Sequence, residues 1–364
     1  MKKEKIAVLG SGNGARAVCA QIGFRGYDVV MWEPLEETDD YKRLKQEKRM
    51  LLSGDIVLEG KIKEVTMDIA EAIKDAVAIF VVVPAFAHEP IFKKMILHLK
   101  SGQHIVIMPG NYGCFKLRKM LNNMGVSVDI SVTETASLPY ACRITSYNEV
   151  RIFKKKDKLH MATSPYRQFK QVFNLLQDIF TPYVEMIECD KILNIDLSNS
   201  NFTLHPLPVL LNYGAIEQNP KTFRHYIDGI TPEISKLMKT MDDERLAIGK
   251  AYGIDLLDTL EQLKMYYGWN NSSSYYEYVH SSESPYYDLV GHNIRSRYLT
   301  EDVPQVLVPA YMLAKKAQVD VPVVEITIRL ASYLHGVDYL KEGTTLDKLG
   351  LGKFSVKEII DYCV

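Results

Sequence analysis

The sequence lacks the features that mark an exported or membrane-embedded protein. Its 364 residues include only 5 cysteines, which are widely spaced and form no Cys-x-x-Cys pair. This pattern argues against a disulfide framework and a zinc knuckle, and it fits a reducing cytoplasm. No apolar run approaches the roughly 20 residues that a membrane helix needs. The N-terminus shows no secretory signal pattern, so we expect a protein that is not exported.

An excess of charge of one sign is also absent. Lys and Arg number 44, Asp and Glu number 45, and the net charge is −1. A general polyanion binder would be strongly basic, so we expect neither nucleic acid nor a membrane as a partner. Hydrophobic residues make up 47% of the chain and charged residues 24%, as in ordinary globular proteins. Such a composition predicts a soluble, folded protein. The partners we expect are small molecules, without a metal centre, and the expected assembly is a monomer or a homodimer.

The order of apolar patterns predicts two domains of different classes. Helical patterns separate four short β-branched runs, at Ile6–Leu9, Tyr27–Trp32, Ala78–Val83 and 104–108. Buried runs of this kind predict a doubly wound parallel α/β sheet, a Rossmann-like domain. We assign it residues 1–185. Helical periodicity dominates beyond it, which predicts a mainly α-helical second domain over residues 186–364.

A glycine-rich turn indicates a dinucleotide site. Gly10-x-Gly12-x-x-Ala15 stands between the first predicted strand and a helix. Small residues there let the backbone approach a pyrophosphate, which the free N–H groups of the next helix can bind. A purely structural turn is the alternative. Pro84 follows the Val81–Val83 strand at the same predicted sheet edge, although helix termination alone would explain it equally well. The predicted cofactor-binding residues are Gly10, Gly12, Asn13, Gly14, Ala15, Glu33 and Pro84.

Glu33 bears on which dinucleotide binds. It ends the second predicted strand, about 20 residues after Gly12, where an acidic residue can accept the ribose hydroxyls. A 2′-phosphate about 4 Å away would be repelled by several kcal/mol. The sequence therefore favours NAD over NADP. The alternative is that Glu33 simply faces solvent, as most glutamates do.

Candidate acid–base and anion-binding groups lie in the second half of the chain. His205 stands beside Pro206 near the start of the helical region, and Arg297 and Asp302 share a short predicted turn. A catalytic histidine needs a carboxylate to fix its tautomer, and an arginine offers a planar fork for a substrate carboxylate. From spacing alone, a helix N-cap for Asp302 and a surface ion pair for Arg297 are about equally good explanations.

Motifs spread over almost the whole chain give a family resemblance. Five motifs occur in the following order: the glycine turn, the segment from Glu134 to Arg143, Leu204-His-Pro206, the Asp243–Ile248 segment with Gly253, and Arg297-Tyr-Leu-Thr-Glu-Asp-Val-Pro304. With them the chain resembles the opine dehydrogenases, the octopine and nopaline dehydrogenase group. The resemblance implies a Rossmann domain and a helical domain with the active site in the cleft between them.

The resemblance also implies residue roles. His205 would be the catalytic acid/base, Asp302 its carboxylate partner, and Arg297 the clamp for a 2-oxo acid. Glu134 or Arg143 could contact the amino-acid substrate, and Cys142 could line its pocket. For Cys142 a small buried hydrophobic role is the stronger alternative.

The implied activity is NADH-dependent reductive condensation of an amino acid with a 2-oxo acid such as pyruvate, and its reverse. A 2- or 3-hydroxyacid dehydrogenase of the same plan is an alternative, because reducing a ketone needs the same acid and the same clamp. A dinucleotide-sensing protein without turnover is another. We interpret residues 270–287, which are rich in serine and tyrosine, as a functional loop or lid.

Overall fold

The chain forms two compact units that divide between Ile195 and Asp196. The computed structural model describes residues 4–268, 270–282, 284–286 and 293–363. The predicted boundary after residue 185 falls at the start of the last strand of the first unit. No helix in the described ranges is both long enough and apolar enough to cross a membrane.

An eight-stranded sheet forms the core of the first unit. Its order is β12-β11-β8-β7-β6-β1-β2-β5, in strands with the following bounds: β1 (Lys5–Leu9), β2 (Asp28–Trp32), β3 (Arg49–Gly54), β4 (Leu58–Lys61), β5 (Glu64–Thr66), β6 (Ala78–Val81), β7 (His104–Ile107), β8 (Ser131–Thr135), β9 (Tyr140–Ser146), β10 (Glu149–Lys155), β11 (Lys158–Ser164) and β12 (Glu185–Glu188).

The strand order explains where a ligand can bind. Within this sheet, strands β5, β2, β1, β6, β7 and β8 pair in parallel, whereas β11 runs antiparallel to β8. Counted along the chain, those six strands have the doubly wound order 3-2-1-4-5-6. The predicted fold class is confirmed. The order reverses between β1 and β6, and ligands of such sheets bind beyond the carboxyl ends of the strands at that point.

A second sheet of four strands, in the order β4-β3-β10-β9, was not predicted. Helix α1 contacts β3, β4 and β9 on this sheet as well as β1 and β2 on the larger one. It is therefore buried along most of its length. The helices of the first unit are α1 (Asn13–Phe24), α2 (Asp39–Glu47), α3 (Ile69–Ile73), α4 (His88–Met95), α5 (Gly113–Asn123) and α6 (Phe169–Phe180).

The second unit is helical, as predicted from its periodicity. Helix α7 contains the division between the units. A π-helical segment, Val303–Leu307, runs directly into α15. The helices are α7 (Ile192–Leu197), α8 (Asn201–Leu204), α9 (Pro206–Leu211), α10 (Tyr213–Gln218), α11 (Pro232–Ala251), α12 (Thr259–Tyr267), α13 (Tyr275–His280), α14 (Arg297–Thr300), α15 (Val308–Ala317), α16 (Pro322–His335), α17 (Tyr339–Glu342) and α18 (Val356–Tyr362).

Two sequence-based expectations for this unit need correction. Helical periodicity over residues 192–216 predicts one continuous helical segment, but the structure divides it among α7 to α10. Pro206 cannot donate a backbone hydrogen bond, and the amide of Asn201 donates to the Asn199 side chain instead. The segment 270–287, expected to be a loop, contains α13. Residues 283 and 287 of that segment lie outside the described residues.

A buried polar group, Asp242, connects the helices of the second unit. It accepts hydrogen bonds from the Thr203, Thr259 and Tyr275 hydroxyls and from the Thr259 amide. Arg245 pairs with it at 2.8 Å, and both side chains are inaccessible to solvent. The Arg245 guanidinium also donates to the Leu197 carbonyl. The Asp243–Ile248 motif thus contributes a buried arginine that ties α7, α8, α11 and α12 together.

Candidate active site

The glycine turn after β1 forms an open backbone site. Gly10 has φ +127°, and a Cβ there would lie 2.6 Å from the Val82 carbonyl oxygen, so only glycine is accommodated without strain. A Cβ on Gly12 would meet nothing within 4 Å. Gly12 also caps α1 without a side chain over the first N–H groups. Open space beside free helix N–H groups fits the pyrophosphate of a dinucleotide.

Neighbouring residues of the turn hold its shape. The Asn13 side-chain oxygen accepts a hydrogen bond from the Ile144 amide at 2.8 Å. Gly14 lies against the Leu138 side chain, and Ala15 is buried. Arg16, which sequence reasoning missed, donates to the carbonyl oxygens of Ser11 and Tyr147. Its proximity to the glycine turn was the signal that could have found it.

Glu33 and Pro84 lie where the pattern placed them. Glu33 follows β2, is 9% exposed, and accepts a hydrogen bond from the Leu35 amide at 3.0 Å through one carboxylate oxygen. It therefore does not simply face solvent. Pro84 follows β6 and precedes a short 3₁₀ turn. Both residues stand at the carboxyl edge of the sheet. Pro84 follows β6, which flanks the switch point, and Glu33 follows β2, the neighbour of β1.

The residues expected to contact the amino acid lie in two different sheets. Glu134 is fully buried in β8, where it accepts a hydrogen bond from the Cys114 amide at 2.5 Å at the start of α5. Cys142 in β9 is 8% exposed, and burial raises the pKa of its thiol to about 11. Arg143 is exposed and pairs across the sheet with Arg151.

In the second unit, a histidine and a carboxylate 97 residues apart are in direct contact. His205 stands at the junction of α8 and α9, where Pro206 starts the second helix. Its Nδ1 lies 2.7 Å from Asp302 Oδ2, and both side chains are buried. Asn201 donates to the other Asp302 oxygen at 3.4 Å. The Asp302 side chain does not cap the helical segment that follows, so the N-cap alternative does not describe it.

Arg297 has an exposed side chain that pairs with the buried carboxylate of Glu301. Its Nε donates to Glu301 at 2.5 Å, and the two side chains are 65% and 2% exposed. The ion pair considered as an alternative is therefore present. Among the described residues it engages Nε. The two terminal nitrogens of a guanidinium form an edge that can bind a carboxylate bidentately.

Burial and the Arg297 charge set the protonation of the pair. Burial lowers the pKa of His205, and the positive charge of Arg297 lowers it further. Burial raises the pKa of Asp302, against the effect of Arg297 and the Asn201 hydrogen bond. Both groups are thus pushed toward their neutral forms. A single proton shared between them satisfies the contact.

Aromatic rings that sequence reasoning missed enclose the imidazole. Tyr298 stacks on His205 with ring centroids 3.6 Å apart and planes within 12°. The Tyr226 hydroxyl lies 3.0 Å from His205 Nε2. His225 bonds through Nε2 to the Leu204 carbonyl, one residue before His205, at 2.9 Å. Tyr298 follows Arg297 inside a noted motif, whereas the His225-Tyr226 pair carries no local signal.

Known proteins match this chain in both parts. Residues 188–335 match the NAD/NADP octopine/nopaline dehydrogenase alpha-helical domain. Residues 5–119 match the N-terminus of NAD-dependent glycerol-3-phosphate dehydrogenase. An opine dehydrogenase from Arthrobacter sp. (strain 1C) is 32% identical over 357 residues, which cover 96% of each protein. The chain belongs to the opine dehydrogenase family.

Other opine dehydrogenases give the same result. Octopine dehydrogenase from Mizuhopecten yessoensis is 25% identical over 389 residues, covering 94% of this chain and 93% of that protein. A solved octopine dehydrogenase structure with NADH and L-arginine has a TM-score of 0.77 at 21% identity over 98% of both chains, which shows the same fold. The expected family is confirmed, and so are an oxidoreductase and a nicotinamide-dinucleotide cofactor.

Proposed function

We propose that this protein catalyses the NADH-dependent condensation of an amino acid with a short 2-oxo acid, and its reverse. The observation that carries the proposal is the buried contact of 2.7 Å between His205 and Asp302. Asp302 lies five residues after Arg297 on the same short stretch of chain. Relatives support the substrate classes, since octopine dehydrogenase has been solved with NADH and L-arginine and with NADH and pyruvate.

His205 holds and moves the proton. The reaction consumes one proton, which leaves with the carbonyl oxygen as water. Asp302 fixes the imidazole through Nδ1 and stabilises its charged form, as a catalytic histidine requires. Because the reductive direction needs a proton on the pair, its rate falls as the pH rises and that proton is lost. The rate of the reverse direction rises over the same range.

Arg297 orients the 2-oxo acid. Glu301 engages Nε, so the terminal nitrogens receive the substrate carboxylate and fix the adjacent carbonyl carbon. Of the three residues considered for the amino acid, Arg143 has an exposed guanidinium that suits the amino-acid carboxylate. Buried Cys142 and Glu134 would act through the packing of β9 and α5.

The glycine turn and Glu33 would hold the dinucleotide, which supplies a hydride when bound. We assign dinucleotide binding to residues 1–185 and substrate binding and catalysis to residues 186–364. We further propose a cytoplasmic enzyme that works as a monomer or homodimer.

Glu33 would set the preference for NADH over NADPH. Its buried carboxylate would repel a 2′-phosphate bound beside it, so Glu33→Gln is expected to reduce the discrimination by about tenfold, or roughly 1.4 kcal/mol. Dissociation constants for both cofactors, measured by fluorescence, check this. Glu36→Gln, an exposed glutamate three residues later, is the control. Unchanged discrimination in Glu33→Gln would remove the assigned role.

Amino-acid dependence of NADH oxidation tests the function. The purified protein is supplied with NADH and pyruvate, with and without a panel of cationic, acidic and small apolar amino acids. The proposal expects oxidation only when a suitable amino acid is present, and mass spectrometry should detect an N-(carboxyalkyl) amino acid. Oxidation that ignores the amino acid would instead indicate a hydroxyacid dehydrogenase. Tight NADH binding with no oxidation would indicate a sensor.

A further inference from the structure

The nitrogen of His205 that faces away from Asp302 is already in a hydrogen bond. Its Nδ1 is engaged by Asp302 at 2.7 Å, so Nε2 is the nitrogen left for proton exchange with a substrate. The Tyr226 hydroxyl lies 3.0 Å from that Nε2. A proton leaving or reaching His205 must therefore pass through this hydroxyl, or the hydroxyl must move aside.

The packing of Tyr226 opposes movement. The residue is 3% exposed. Its ring meets His225 edge-on at 4.7 Å and lies 4.3 Å from the Tyr286 ring. Its hydroxyl also forms a hydrogen bond with Tyr298, the residue that stacks on His205. Displacing the ring would break these aromatic contacts, which stabilise the packing beyond the buried area alone.

We propose that Tyr226 is a further catalytic residue, whose hydroxyl passes the proton between His205 and the oxygen of the reacting carbonyl group. The proposal rests on the reductive condensation proposed above. When the amino acid has added to the oxo acid, the resulting carbinolamine must lose its hydroxyl group to form the imine.

The relay balances in protons and electrons. His205 Nε2–H gives its proton to the phenol oxygen while the phenol O–H proton moves to the carbinolamine hydroxyl. The C–O bond breaks with its electron pair on oxygen, water leaves, and the nitrogen lone pair forms the C=N bond. Tyr226 ends with one proton, as it began, and nothing is oxidised or reduced. Burial raises the pKa of Tyr226 well above its ordinary value, so the group remains a neutral phenol that can both accept and donate.

Tyr226→Phe tests the relay, because it removes the hydroxyl and keeps the ring. Its kcat is expected to fall by about 10²-fold, with the NADH dissociation constant and the KM of both substrates little changed. Tyr252→Phe is the matched control, since it also deletes one buried hydroxyl hydrogen bond, from Tyr252 to the Leu313 carbonyl, and should keep the wild-type kcat. A wild-type or increased kcat in Tyr226→Phe would overturn the relay.

A second readout does not depend on activity. In ¹⁵N NMR spectra, the Nε2 resonance of His205 is expected to move in Tyr226→Phe and to stay in place in Tyr252→Phe. An unmoved resonance in Tyr226→Phe would show that the hydrogen bond is absent and would overturn the proposal. If the wild type reduces a 2-oxo acid without any amino acid, the condensation fails as the function. The relay still predicts the same loss of kcat, because the carbonyl oxygen needs a proton in that reaction too.

Discussion

The two candidate sites of this molecule are built in different ways. The dinucleotide site after β1 is made largely of backbone, over a short stretch of chain, and its essential property is the absence of side chains at Gly10 and Gly12. The site in the helical unit is made of side chains from segments 201–205, 225–226 and 297–302. A backbone site constrains local sequence strongly, whereas a side-chain site is defined by contacts between distant segments. Substitutions at the two sites should therefore have separable effects.

The largest effect is expected at the side-chain site. Asp302→Asn keeps the size of the group but removes the charge that stabilises the imidazolium, so kcat should fall by about 10²–10⁴-fold. The NADH dissociation constant should stay unchanged, because the dinucleotide is expected to bind at the backbone site after β1. Steady-state kinetics measure kcat, and fluorescence titration measures the NADH dissociation constant. Equal losses of turnover and NADH affinity would show that the two sites do not act separately.

Gly10→Ala and Gly12→Ala test two requirements of the backbone site separately. Gly10 provides a backbone conformation that needs glycine, and Gly12 provides open space for the pyrophosphate. At Gly10, the positive φ and the 2.6 Å approach to the Val82 carbonyl should destabilise the apo protein by about 1–3 kcal/mol and also weaken NADH binding. At Gly12 the added methyl meets open protein surface, so stability should be kept while NADH affinity falls about tenfold. Thermal unfolding and fluorescence titration measure both. Wild-type NADH affinity in Gly12→Ala would mean that the pyrophosphate lies elsewhere.

Arg297→Lys tests how much of the side-chain site depends on shape rather than charge. Lysine retains the charge but not the planar fork, so the KM of the 2-oxo acid should rise about tenfold, and the KM of the amino acid should change little. Arg295→Lys, two residues earlier and also exposed, is the control. If both variants behave alike, Arg297 is a surface cation without a binding role.

The smallest effect on turnover is expected from the buried support of the helical unit, which contributes to stability. Burial opposes ionisation of Asp242, but Arg245 and the Thr259 hydrogen bonds outweigh it and lower the pKa of the carboxyl below its ordinary value. A lowered pKa in the folded state stabilises the protein above the unfolded pKa of about 3.9, and this contribution is lost as the pH falls through the folded value.

Acid titration of the unfolding midpoint checks this contribution. The midpoint of the wild type should drop steeply below about pH 4, and Asp242→Asn should lose stability at neutral pH and show a shallower acid limb. Asp243→Asn, at an exposed neighbour that pairs with Lys239 on the surface, should follow the wild type. A wild-type acid limb in Asp242→Asn would mean that other carboxyl groups control acid unfolding.

Local pattern was sufficient for the Rossmann part of the fold. Strands β1, β6 and β7 are short apolar runs apart from Lys5 and His104 at the starts of β1 and β7, and each is buried on both faces. The four-stranded sheet was missed because β4 has only four residues, LEGK, and β3 pairs with β10 about a hundred residues later. Pairing over such a distance leaves no local periodicity to read.

The helical site was accessible mainly through family resemblance. His205, Arg297 and Asp302 stand in motifs that the resemblance picked out, but no spacing rule connects residues 97 positions apart. Tyr226 and His225 escaped notice because they lie in a turn segment between α10 and α11, where no sequence motif points to a site. Asp242 escaped because its partners, Thr203, Thr259 and Tyr275, come from three other helices.

The π-helical segment Val303–Leu307 follows Asp302 directly, and its wider winding has a geometric consequence. An α-helix advances about 100° per residue around its axis, so a wide turn stores one residue more than regular winding would. Deleting a single residue there would let the helix run on smoothly through α15 while swinging Asp302 about 100° around the axis. The carboxylate would then point away from the imidazole, although every side chain of the pair was still present. For the proposed catalytic pair, the length of this one turn would therefore matter as much as the identity of the residues that it orients.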